Sequence, residues 1–156
     1  MPTTLKRENL VSFANEHRDE YESLLRRFVE TPTVSVDPNH LSDIKKGVDL
    51  TVETLEQFGG KAEVYRADKG NPVVHGVFGN DSGRPTVTVY NHIDVQPASK
   101  ETEPWDTEPF VFTKKGDSYF GRGTTDDKGP ALTALFGARA AIEADVPVNI
   151  RFLWEF

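Results

Sequence analysis

The sequence predicts an α/β fold, a mixed and mostly parallel sheet flanked by helices. Three observations carry that prediction. Two long segments with apolar residues at three- and four-residue steps precede a series of β-rich runs. An alanine-rich helical segment separates those runs from a last one, so helices alternate with strands. That last run, Val146–Phe156, has almost no polar interruption, as expected of a strand buried on both faces of a parallel-type sheet.

The first helix is expected from about Asn9 to Glu30, with Leu10, Phe13, His17, Tyr21, Leu24, Leu25 and Phe28 on its apolar stripe. Thr31-Pro32 stops it, because the residue before proline is pushed out of the helical region. "TPTVSVDPNH" is a loop. A second helix spans about Leu41 to Phe58, and Gly59-Gly60 supplies its C-terminal stop. "KAEVYRA" and "PVVHGVFG" are strand candidates, and "GNDSGRP" is a turn by composition. "PTVTVYNH" is the strongest strand, rich in β-branched residues. Residues 95–109 form a long polar loop with three prolines. "FVFTKKGDSYFG" reads as a hairpin turning at Lys115-Gly116-Asp117. "DKGPALTALFGARAAIEA" is the third helix.

The chain has 156 residues, 37% hydrophobic and 28% charged, enough for one domain with a core. No apolar run is long enough to span a bilayer, so no membrane partner is expected. "MPTTLKRENLVSF" lacks the continuous apolar segment of a secretory leader. With no cysteine, thiolate metal sites and disulfides are excluded and the cytoplasm is the default compartment. A net charge of −7 argues against nucleic acid as a partner.

Two stretches carry chemistry. "YNHID" closes the best strand with His92 and Asp94 two residues apart, on one face if the strand continues through them. Ligand sites in open α/β sheets form at such strand ends. Imidazole is a good ligand for zinc and similar ions, and a carboxylate can take its other N–H. The pair therefore supplies a ligand and its orienter, or two ligands, or no more than a satisfied polar pair. In "YFGRGTTDDKGP", Gly121 and Gly123 permit a tight path after a strand. Asp126 and Asp127 then stand side by side before a helix, where they could bridge two cations or cap the helix; Lys128 could neutralise the second acid. A phosphate loop fails on spacing, because Asp127 precedes the lysine and Gly129 follows it.

Taken together, "VTVYNHIDVQP", "WDTEPF" and "YFGRGTTDDKGP" resemble metallopeptidase family M20, on its dipeptidase and carnosinase-like side. The resemblance implies metal-dependent hydrolysis of peptide or amide bonds, with a small peptide or N-acyl amino acid as substrate. It implies a divalent cofactor, two zinc ions, with manganese or cobalt as alternatives. His92 would be a metal ligand, Asp126 would bridge the two ions, and Asp94 would be the catalytic residue that clamps the metal-bound imidazole. Asp127 would follow Asp126 across a bond that is often cis. Trp105 and Pro109 would sit beside the mouth of the site. His17, His40 and His75 match no motif position.

The same resemblance implies that residues 1–156 are the N-terminal portion of the catalytic domain. The family's glutamate pair, general base and ligand, would follow Phe156, and its lid or dimerisation domain is absent from this sequence. On that expectation the chain alone lacks the base and several ligands. Activity would need a longer form or a complementing C-terminal portion, and a homodimer is a further expected partner. The alternative is a non-catalytic remnant or interaction module with weak metal binding.

Overall fold

The computed structural model describes residues 6–156; the first five, and with them the start of the stretch read for a leader, lie outside the described residues. In chain order the elements are α1 (Arg7–Glu16), α2 (Arg18–Val29), a short 3-10 turn (Pro38–His40), α3 (Leu41–Gln57), β1 (Lys61–Tyr65), β2 (Val73–Phe78), β3 (Thr86–His92), β4 (Thr113–Lys115), β5 (Ser118–Phe120), α4 (Lys128–Glu143) and β6 (Asn149–Glu155). The helix expected over Asn9–Glu30 is thus two helices. The break falls at His17 (φ −102°, ψ 9°), whose Nδ1 lies 2.9 Å from the Phe13 carbonyl and whose ring stacks on Phe13. Packing separates the two parts: α2 buries Leu24, Leu25, Phe28 and Val29, and α1 buries none of its residues.

The main sheet has the order β1-β2-β6-β3. It is mixed, with helices packed against it, as the sequence predicts. β3 and β6 run parallel because α4 lies in the connection between them. The other two pairings, β1 with β2 and β2 with β6, are antiparallel. β6 inserts between β2 and β3, so the strongest β-former in the sequence becomes an edge strand with Val87 and Tyr90 about half exposed.

The last strand departs from expectation. Ile150, Phe152 and Trp154 are buried, but Arg151 is only half-buried and Leu153 and Glu155 are exposed. The buried residues of α2, α3 and α4 form one core with the first set: Phe28 meets Trp154 edge-on at 6.1 Å, and Phe78 meets Phe152 at 5.7 Å. An uninterrupted apolar run therefore marks a central strand here without marking burial on both sides.

β4 and β5 form the expected hairpin, with Gly116 at φ 59° in its turn. Glu22 of α2 holds it: the Glu22 carboxylate accepts from Lys114 Nζ at 2.7 Å and from the Tyr119 hydroxyl at 2.8 Å. Those two hydrogen bonds, Lys114 first, hold the Glu22 carboxyl below its ordinary range. A depressed carboxyl stabilises the fold above its unfolded pKa and loses that contribution as pH falls through the folded value. Glu22→Gln should therefore cost about 0.5–1 kcal/mol in urea unfolding near neutral pH and almost nothing at a pH below the folded value. A penalty of equal size at both pH values would refute this role.

Candidate metal centre

The C-terminal end of β3 is fixed on two sides. Ile93 N donates to the Glu155 carbonyl at 2.7 Å, continuing the parallel ladder with β6. From the loop after α2, the buried Thr33 hydroxyl donates to the Ile93 carbonyl at 2.5 Å and Val95 N donates to the Thr33 carbonyl at 2.9 Å. β3 itself ends at His92, so Asp94 reaches the histidine from beyond the strand and not from one pleated face. It lies where the sequence places it, beside His92. The closest hydrogen bond, however, is from His92 Nδ1 to the Asp94 backbone carbonyl at 3.1 Å, with the carboxylate Oδ1 at 3.2 Å.

The second motif folds against this strand end. Gly121 and Gly123 both have positive φ, 148° and 92°, as the tight path requires. A Cβ at Gly129 would lie 2.0 Å from the Thr124 carbonyl oxygen, so the first turn of α4 closes onto the loop only with glycine there. The Asp126–Asp127 peptide bond is cis. Asp127 occupies the N-cap position of α4 but makes no capping bond with its side chain. Its Oδ2 instead accepts from Asn91 Nδ2 at 2.9 Å and from His92 N at 3.3 Å. Asp126 points outward, its side chain 86% exposed, with Oδ1 3.1 Å from His92 Nε2.

His92 and Asp126, thirty-four positions apart in sequence, are thus in direct contact. The partners of Nδ1 are a carbonyl and a carboxylate oxygen, both acceptors, so Nδ1 carries a proton and Nε2 of the neutral ring presents a lone pair. That lone pair faces another acceptor, Asp126 Oδ1. Two acceptors at this distance need a proton or a cation between them. Burial works against charging the ring, but the Asp94 carbonyl and the two carboxylates outweigh it and raise the His92 pKa above the ordinary imidazole value. Imidazole with carboxylate is also a donor set that suits zinc and similar divalent ions. Among the described residues no group of three or more His, Cys, Asp or Glu side chains could hold an ion, so the set is partial.

Lys128 does not neutralise Asp127. Its side chain is fully buried, and Nζ donates to the carbonyls of Phe28 and Thr31, each at 2.8 Å, at the end of α2. Burial lowers its pKa to about 7, partly offset by the Asp94 charge. Trp105 anchors the long loop: its indole N–H donates to Glu103 at 2.6 Å and its ring lies under the Arg122 guanidinium. The Pro109 carbonyl accepts from Arg122 N. His40 pairs with Asp43, and His17 is held by Phe13. Sequence reasoning missed Thr33, Ser35 and Asn91, whose partners appear only in the fold. Lys128→Met should lower the unfolding free energy by about 1–3 kcal/mol, because the buried Phe28 and Thr31 carbonyls each lose a donor and keep only the backbone N–H groups of Thr31 and Thr33. Unchanged denaturant midpoints for this variant would remove the clamp from the account.

Residues 88–156 match peptidase family M20/M25/M40. The chain belongs to this family. Its similarities within the family include several dipeptidases. It is 38% identical to the Cys-Gly metallodipeptidase of Schizosaccharomyces pombe, over 95% of this chain and 33% of that protein. Among solved structures, the dipeptidase Dug1p from Saccharomyces cerevisiae superposes with a TM-score of 0.86 at 29% identity, over 99% of this chain and 35% of that one. Human carnosine dipeptidase 1 gives 0.82 at 31% identity, over 95% and 34%. The chain therefore spans about a third of the length of these relatives.

Proposed function

We propose that residues 1–156 supply the N-terminal part of an M20 catalytic domain and carry one side of a divalent-metal site for hydrolysing the peptide bond of a small peptide. The observation behind this is the His92–Asp126 contact, where two acceptors face one another with room for a proton or a cation between them. Family membership and the metallodipeptidase relative support the same chemistry.

In this site His92 offers its Nε2 lone pair, Asp94 holds the proton on Nδ1, and Asp126 offers an exposed carboxylate with two oxygens. Bound divalent ions supply Lewis acidity toward a substrate carbonyl and an activated water. We assign two zinc ions, with manganese or cobalt as alternatives, and either a dipeptide or an N-acyl amino acid as substrate. The general base and the remaining ligands would come from a C-terminal portion, in the same chain or a complementing one. Homodimer formation and a cytoplasmic location complete the proposal. No helix among the described residues is long and apolar enough to cross a membrane.

A non-catalytic module with weak metal binding is the second reading, and the partial donor set favours it. Calorimetric titration with zinc, manganese and cobalt, followed by assays on Cys-Gly and β-Ala-His, separates the two. The catalytic reading expects metal-dependent cleavage, and loss of both cleavage and more than about tenfold in metal affinity in His92→Ala and Asp126→Ala. Hydrolysis that survives both substitutions would sink it. Metal uptake with no cleavage of either peptide would favour the module.

A further inference from the structure

We infer that Ser35 is a positioning residue for the metal centre, acting through Asp94; the inference rests on the metal-site reading above. Ser35 lies in the loop after α2, fifty-nine positions before Asp94, and its hydroxyl donates to Asp94 Oδ2 at 2.5 Å. The other carboxylate oxygen, Oδ1, stands 3.2 Å from His92 Nδ1. Each Asp94 oxygen thus faces a different neighbour. A carboxylate held at one oxygen by a donor on a fixed loop has one orientation, and here that orientation aims Oδ1 at the histidine.

The loop is itself fixed. Thr33, two residues earlier, is buried and bonds the backbone on both sides of Asp94, at Ile93 and at Val95. Val34 between them is buried in turn. Ser35 is therefore delivered to Asp94 by a segment that cannot drift from it. Asp94 is only partly buried, and with no second donor its carboxylate could rotate to water. The ring proton on Nδ1 would then keep one acceptor, the Asp94 carbonyl, and the direction of the Nε2 lone pair toward Asp126 would loosen. Groups that orient a ligand in this way are worth about 10–100-fold in metal affinity.

The test compares the wild-type protein with Ser35→Ala and Ser35→Thr, the second of which keeps the hydroxyl. In the metal-free proteins, nitrogen-edited NMR reads the His92 Nδ1–H. It should be a protected downfield resonance in the wild type and Ser35→Thr, and should broaden or vanish in Ser35→Ala. Zinc titration should show Ser35→Ala about tenfold weaker, with Ser35→Thr restored. In an Asp94→Asn background, Ser35→Ala should add little further loss, because its route of action is already cut. An unchanged ring proton in Ser35→Ala, or an undiminished loss in the Asp94→Asn background, overturns the inference. The ring-proton result needs no metal: if the wild type binds no divalent ion, the metal-site reading fails and the Ser35 contact is still judged on its own.

Discussion

The site depends on one buried amine. Lys128 lies wholly out of water at the start of α4, and an ammonium there is tolerable only where oxygen atoms replace its hydration. The end of α2 provides them. The Phe28 and Thr31 carbonyls have no later helical turn to bond, and they sit at the negative end of the helix. The contact ties the two elements together, so α4 cannot be displaced from α2 without stranding a buried amine. Asp126 and Asp127 immediately precede that lysine, and their place in the fold is inherited from it.

The loop that continues from α2 does the same for the other motif. After Thr31 has met Lys128, Thr33 grips the backbone around Ile93 and Ser35 holds Asp94. Five residues of loop thereby register a strand end against a helix start that lies more than thirty positions further along the chain. Thr33 meets the chain just past the end of β3, at Ile93 and Val95, where the parallel ladder with β6 stops. Asp126, in the loop before α4, stays open to solvent.

The α/β class, the three helical regions and the hairpin follow from periodicity and turn chemistry, and the two motifs meet where His92 touches Asp126. What the sequence conceals is tertiary in origin. The break at His17 reflects where the core ends, and no local propensity marks it. β3 is rich in β-branched residues because it is a strand, and its edge position is decided by β6 inserting beside it. Lys128 beside two aspartates invites an ion pair; the partners it finds are carbonyls about a hundred positions earlier, which no local pattern can announce. Thr33 and Ser35 sit in a stretch that reads only as loop, since a hydroxyl shows its bonding partner only once the fold brings it near.

Asp126 and Asp127 show how two adjacent acids can be tolerated without mutual neutralisation. Their environments differ. Asp127 turns inward and meets donors that carry no formal charge, the Asn91 amide and the His92 backbone N–H. Those bonds hold the His92 main chain and the Asn91 side chain. Asp126 turns outward, where water screens it, and keeps its oxygens available. One carboxylate is therefore committed to placing the histidine and its neighbour is left free to act with it. Were both to face the solvent, His92 would lose a backbone anchor; were both to turn inward, a second buried anion would need a cation that the described residues do not offer there. The division of labour between the two acids follows from which one the strand end can satisfy.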